Sequence, residues 1–287
     1  WAVYAPKARY QMLWCYFLKE NDEKAKAEAD QFLEAFPDHS LAGDVLFVKG
    51  ETLFRMGKYL EARNEYLDLL SNYPDSQYRA ESAFKLGQCE YSLKRYQEAS
   101  RIFGDFTGSY PDHALAPEAA LLQGESYFDG GLLKEAAEVY QKFIRAYPER
   151  PQVEYALYKI SLCFRQTDDF SKLAEVSQEL LKRYPDSRFR PTCLFWIAYE
   201  AERREQNAAA MESYEELIRD YPFSEYANEA RLRLAMIYYR QEKLEEAARL
   251  FRILIDSDKP PALLGDSIYF WTGSKLVEQG QYENAIA

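Results

Sequence analysis

Between Asp44 and Met56 the apolar residues Val45, Leu46, Val48, Leu53 and Phe54 recur at the i, i+3, i+4 spacing that gives a helix one dry face. Gly57-Lys58-Tyr59 makes a turn, and from Glu61 to Asn72 a second helix is predicted with Ala62, Tyr66, Leu69 and Leu70 inward. Tyr73-Pro74 ends it, because proline drives the residue before it out of helical ψ. Asp75 and Ser76 offer oxygens to cap the next helix, as do Ser187 and Ser224 later in the chain. Pro151 directly follows the corresponding residue, where a first-turn proline fits.

This unit repeats every 37 residues. Aromatic-proline pairs stand at Phe36-Pro37, Tyr73-Pro74, Tyr110-Pro111, Tyr147-Pro148, Tyr184-Pro185 and Tyr221-Pro222. A small residue recurs at Gly50, Gly87, Gly124, Ser161, Ala198 and Ala235. An alanine recurs at Ala25, Ala62, Ala99, Ala136, Ala210 and Ala247, with Leu173 as the departure. An aromatic recurs at Tyr66, Phe103, Tyr140, Tyr214 and Phe251, with Ser177 as the departure. After Pro222 the register slips by one, to Pro260, Gly273 and Ala285. A fixed period of this length predicts a solenoid in which each unit buries its apolar face against its neighbours. Mid-helix glycine costs about 1 kcal/mol against alanine, so its recurrence implies a close helix approach, with the Ala62 column making the same contact from the second helix. The expected fold is all-α, a right-handed superhelical α-solenoid of about seven full repeats plus a partial eighth, with little or no β-structure. The repeats fall near 6–39, 40–76, 77–113, 114–150, 151–187, 188–224 and 225–262, an array over 1–262, with 263–287 as the truncated eighth.

A small residue, Ala twelve later, Tyr or Phe four after that and Pro eight further on resembles the tetratricopeptide repeat: Gly50, Ala62, Tyr66 and Pro74, then Gly87, Ala99, Phe103 and Pro111. Gly124, Ala136 and Pro148 continue these columns, as do Pro185 and Pro222. The usual repeat has 34 residues; the surplus lies around Tyr-Pro-Asp-Ser. This longer variant is similar to a bacterial envelope subclass that includes the outer-membrane assembly lipoprotein of the barrel-insertion machine and the Tol-Pal coordinator. The resemblance implies a periplasmic or outer-membrane-associated adaptor, with a cytoplasmic location left open.

The resemblance also places the first helices on a concave face. There Phe47, Phe84, Leu121, Tyr158, Phe195, Leu232 and Phe270 lie three residues before the small column, with Tyr10 in the first unit. Phe54, Tyr91, Phe128 and Tyr239 lie four residues after it, interrupted by Arg165 and Glu202. An aromatic stripe rimmed by charge suits an extended peptide or an amphipathic helix; the competing reading packs these side chains between neighbouring first helices. Asp44, Glu51, Glu81, Glu118, Glu125 and Asp129 make the first half of this face acidic, and Arg203, Arg233 and Arg240 make the later half more basic. The departures at Ser161, Leu173 and Ser177 suggest either a bend or plain divergence.

Composition narrows the function. The chain of 287 residues is 47% hydrophobic with a net charge of -11. That charge argues against nucleic acid, which needs a basic face, and no apolar run is long enough to insert in a membrane. Cys15, Cys89 and Cys163 share one column two repeats apart, too far for a disulfide; with Cys193 they form no metal-ligand spacing. The two histidines, His39 and His113, share the boundary column with Ser76, so capping accounts for them. No phosphate loop, nucleophile elbow or metal-binding helix motif is present. The expectation is therefore a non-enzyme without catalytic residues, cofactor or metal, binding one or more proteins. Two other readings stay open: a structural spacer that self-associates through exposed terminal repeats, and an accessory domain of a larger protein. Beginning at Trp1 without methionine, the sequence reads as a piece of a longer chain.

Overall fold

The computed structural model describes residues 5–256 together with Ser274 and Glu278. Among them are fourteen α-helices and no strand. These are α1 Ala5–Leu18, α2 Asp22–Ala35, α3 Ala42–Arg55, α4 Tyr59–Asn72, α5 Arg79–Ser92, α6 Tyr96–Ser109, α7 Ala116–Asp129, α8 Leu133–Ala146, α9 Gln152–Gln166, α10 Phe170–Arg183, α11 Arg190–Arg203, α12 Asn207–Asp220, α13 Ala227–Arg240 and α14 Leu244–Ile255. The shifted columns at Pro260, Phe270, Gly273 and Ala285, and the partial eighth repeat at 263–287, lie outside the described residues.

The chain divides into two compact units, Trp1–Ala156 and Leu157–Ala287, with the division inside α9. In the first unit α1 to α8 stack in chain order, each helix packed on the next, and α1 also reaches α3. In the second unit α10 to α14 do the same.

Two loop types alternate, and both repeat. Each helix hairpin turns on a residue in the left-handed region: Glu20, Gly57, Lys94, Gly131, Asp168, Glu205 and Glu242, with φ between 55° and 77°. At Lys94 its N–H donates to the Tyr91 carbonyl (2.9 Å), and the Arg95 N–H donates to the Glu90 carbonyl (2.9 Å). This pair of bonds closes the helix C-terminus and satisfies its orphan carbonyls. Only two of the seven turn residues are glycine, so the column carries no glycine signal in the sequence.

Between hairpins, Tyr73 ends α4 with its N–H on the Leu69 carbonyl. Two turns follow, Ser76 N–H to the Tyr73 carbonyl (3.1 Å) and Arg79 N–H to the Ser76 carbonyl (3.1 Å). The Ser76 hydroxyl accepts from the Tyr78 N–H (3.2 Å), and Ser187 from the Phe189 N–H (3.1 Å). His39 and His113 do the same through Nδ1, accepting from Leu41 (3.1 Å) and Leu115 (3.2 Å). Serine and histidine share the column because each offers an acceptor to the amide two residues on. The acceptor sits in the turn, two residues before the cap residue Tyr78, rather than capping the helix itself. Pro151 likewise precedes α9 instead of entering its first turn; Pro117 and Pro191 occupy that place in α7 and α11.

The small column is explained by an aromatic ring. A Cβ on Gly50 would lie 2.6 Å from the Tyr66 ring, on Gly87 2.7 Å from Phe103, and on Gly124 2.6 Å from Tyr140. Real Cβ atoms do not approach so closely, so each glycine is required by the ring from its own hairpin's second helix. Ala62 joins a buried cluster with Leu53 of its own hairpin and with Leu86 and Cys89 of the next. In the fifth repeat the same volume is redistributed. Ser161, Leu173 and Ser177 are all buried. The bulk missing at Ser177 returns at Leu173, and the two hydroxyls bond the carbonyls of Tyr158 (2.6 Å) and Leu173 (2.8 Å) in their own helices.

Cys15 and Cys89 are free thiols. Cys89 is buried in the cluster with Ala62 and Tyr66. Burial, with the Glu51 and Glu90 carboxylates nearby, pushes its thiol up to about 12. Cys15 is exposed, because no earlier hairpin covers α1 among the described residues.

Two predictions follow from this packing. Gly87→Leu forces overlap with Phe103 and is expected to destabilise by about 1–3 kcal/mol, read as a lower melting temperature; unchanged melting would sink the ring-on-glycine contact. Lys94→Gly removes about 1–2 kcal/mol of left-handed strain and adds about 0.5–1 kcal/mol of unfolded-state entropy. A net gain of up to about 1.5 kcal/mol is expected in chemical denaturation, with none for Lys94→Ala.

Candidate functional site

The first helices carry the expected stripe, and the structure sorts its members by exposure. Phe84, 2% exposed, packs on Phe103 and Phe106, and Phe195, 4% exposed, stacks on Tyr226 at 4.7 Å. Both are core residues without surface for a partner, which corrects their place in the stripe. Phe47 and Tyr158 are half-buried and stack on Tyr78 (4.3 Å, 1°) and Phe189 (3.8 Å, 7°). In these three stacked pairs the partner ring lies 31 residues on, just before the next first helix. This part of the stripe therefore joins neighbouring hairpins, which is the competing reading. Leu121 is half-buried.

The second column keeps more surface. Phe54 is half-buried, edge-on to Tyr59 (5.1 Å) with the Lys85 ammonium 5.2 Å above its ring. Tyr91 is half-buried against Tyr96 (5.5 Å) and donates its hydroxyl to Asp129. Burial and the Asp129 carboxylate raise the Tyr91 pKa, so the phenol stays protonated as a donor. Phe128 is half-buried, and Tyr239 is 43% exposed.

Charge on this face is largely paired within the protein. In the first unit Asp44 is buried and accepts from Gln77 (2.6 Å) and Ser76 (3.3 Å). Glu51 accepts from the Tyr66 hydroxyl (2.5 Å) and pairs with Lys85 (3.0 Å). In the second unit Glu202 gathers Tyr214 (3.1 Å), Arg240 (2.9 Å) and Arg233 (3.4 Å). Arg233 also reaches Glu229 (3.0 Å) and lies over the Tyr199 ring (4.5 Å). The acidic and basic halves expected from sequence are thus muted by internal pairs. Three features escaped sequence reading. Arg165 reaches the Tyr226 hydroxyl (3.1 Å). Glu200 occupies the buried column of Cys89 and Cys163. Phe223 is 99% exposed where the other boundaries carry Asp38, Asp75, Asp112, Glu149 and Asp186; its break with that acidic column was the available signal.

Glu200 accepts from Ser171 (2.8 Å), Arg204 (2.8 Å) and Arg203 (3.0 Å). Burial alone would raise its pKa, but these donors outweigh it and hold the carboxyl below the usual range. Among the described residues no cluster of His, Cys, Asp and Glu is arranged to hold a metal, and no helix is long and apolar enough to cross a membrane.

The geometry defines a helical-repeat scaffold, a stack of hairpins with its variable chemistry on the first helices. Comparison with known proteins names the class. The tetratricopeptide repeat profile matches residues 47–105, 197–263 and 232–287, together more than half of the chain. The chain belongs to the tetratricopeptide repeat family. Residues 79–203 also match the profile of the YfiO outer membrane lipoprotein family. No curated protein sequence matches significantly. Among solved structures, a tetratricopeptide repeat protein from Parabacteroides merdae is 15% identical, covering 98% of this chain and 99% of that one with a TM-score of 0.53. The C-terminal part of a repeat protein from Cytophaga hutchinsonii is 14% identical, covering 90% and 97%, with a TM-score of 0.64. MamA from Desulfovibrio magneticus is 19% identical, covering 63% and 97%, with a TM-score of 0.51. These likenesses show the fold. No enzyme family is among them.

Because the Glu200 pKa is lowered in the folded state, its contribution is complete above the unfolded carboxyl value of about 4.3 and is lost as pH falls through the folded value. Both arginines are about half exposed, which limits the effect. Glu200→Gln is expected to cost about 1–2 kcal/mol at pH 7, and the gap to wild type is smaller at acid pH. An equal gap at both pH values, measured by urea denaturation, would remove the ion pairs from the account.

Proposed function

We propose that the protein is a non-enzymatic scaffold that holds an extended peptide or a helix of a partner protein along the face of its first helices. The reading rests on one observation above the rest. At a single helix position, four residues after the small column, Phe54, Tyr91, Phe128 and Tyr239 keep accessible ring surface. The aromatic column of the second helices, by contrast, is buried: Tyr66, Phe103, Tyr140, Tyr214 and Phe251 are all in the core. Aromatic side chains dominate binding energy where partners meet, and a tetratricopeptide array turns its first helices toward its ligand. The match of residues 79–203 to an outer membrane lipoprotein family supports a role in the bacterial envelope, in the periplasm or at the outer membrane.

The test uses substitutions outside the core. Phe54→Glu with Tyr239→Glu is expected to leave the helical spectrum unchanged with only a small drop in melting temperature, and to abolish retention of specific proteins in affinity capture from envelope extracts. Equal retention by wild type and variant would move binding to the second helices, the loops or the ends. Phe84 and Phe195 are unsuitable for this purpose, since charge at a site 2% or 4% exposed unfolds the repeat that carries it.

A further inference from the structure

Among the described residues, no carboxylate lies within ion-pair distance of Arg165. The other arginines of this face have carboxylate partners: Arg203 has Glu200, Arg240 has Glu202, and Arg233 has Glu202 and Glu229. Arg165 is half-buried at the position held by Phe54 and Tyr239 in other repeats, and its hydrogen bond goes to the Tyr226 hydroxyl. A guanidinium has five N–H donors in a fixed fork, so most of this group's capacity stays unspent. A guanidinium without a counter-charge is open to an incoming carboxylate.

The surroundings orient the group. Tyr226 stacks on Phe195 and stands edge-on to Trp196 (6.1 Å), which in turn packs on Tyr199 (5.5 Å). The hydroxyl that holds Arg165 is thus fixed at the rim of an aromatic cluster, and the free edge of the fork is presented beside rings. The Glu202 and Glu229 carboxylates of this face are engaged by Arg233 and Arg240; Glu225, whose charge is felt at the Tyr226 hydroxyl, forms no ion pair with Arg165.

We propose that Arg165 receives an aspartate or glutamate side chain of the partner segment, an acid within the chain and not its terminal carboxylate. This deepens the proposed function and rests on it. A carboxylate meets the fork in two parallel charge-assisted bonds. In an extended segment the residue two along points to the same side, about 6.6 Å on. The ring surface of Trp196, Tyr199 and Tyr226 suits an apolar residue there.

The test is selection of short random peptides, displayed with their C-termini fused, on wild type, Arg165→Gln, Arg165→Lys and Tyr239→Glu. Wild type is expected to enrich peptides with one Asp or Glu near an apolar residue. As amidated synthetic peptides these should bind at least about 10-fold tighter than their Asn or Gln counterparts, the size of one charge-assisted contact. Arg165→Gln should erase that preference with unchanged melting, and Arg165→Lys should keep part of it. Enriched peptides without an acid, or an acid preference that survives Arg165→Gln, overturn the proposal. If such peptides are still lost with Tyr239→Glu, the groove reading stands and only Arg165 falls; if they are not, both fall. Affinity confined to peptides with a free terminal carboxylate overturns the assignment to an internal side chain, and absence of any enrichment counts against both readings.

Discussion

A ring pressed against main chain that has no Cβ is the contact on which the stack depends. Tyr66, Phe103 and Tyr140 each cross from the second helix of a hairpin onto a glycine of the first. The close approach sets the distance between the two helices of a hairpin, and the next hairpin then packs on the cluster containing Ala62, Leu86 and Cys89. Because interiors are close-packed, a change on one side of this contact must be answered on the other. The fifth repeat shows such an answer, where serine replaces the ring and leucine replaces the alanine. The column identities differ there while the helices keep their order, α9 being one residue longer than the other first helices.

Much of this architecture was legible in the sequence because it is periodic. Helix positions, the aromatic-proline stops and the glycine column recur often enough that one residue identity confirms another. The left-handed turn residues were not legible. Glu20, Lys94, Asp168, Glu205 and Glu242 adopt a glycine-like conformation that their identity does not announce, since the two bonds closing each helix end hold it there. The equivalence of His39 and Ser76 was legible as a column; the acceptor geometry that unites them was not.

The functional face was legible as a set of positions but not as a surface. Sequence spacing puts Phe84 and Tyr91 on one face of α5, yet one is core and the other half-open. Burial depends on the neighbouring hairpin, whose cap residue supplies the stacking ring for Phe47, Tyr158 and Phe195. Charge was legible in sign and misleading in availability. Glu51, Glu202 and Arg233 each find partners one helix or one hairpin away, and such pairing cannot be read from a linear order of acids and bases.

The bond between Arg165 and Tyr226 joins residues 61 apart, whereas the other side-chain bonds described here join residues fewer than 40 apart. Short-range contacts let a linear array form or open one hairpin at a time from either end. This bond reaches past the nearest-neighbour hairpin. It exists only when the hairpin of α11 and α12 is seated between α9 and α13, so it reports three consecutive repeats at once. It is complete only when all three repeats are in place and is lost when any one of them opens, which adds one hydrogen bond of coupling beyond nearest neighbours within the second unit.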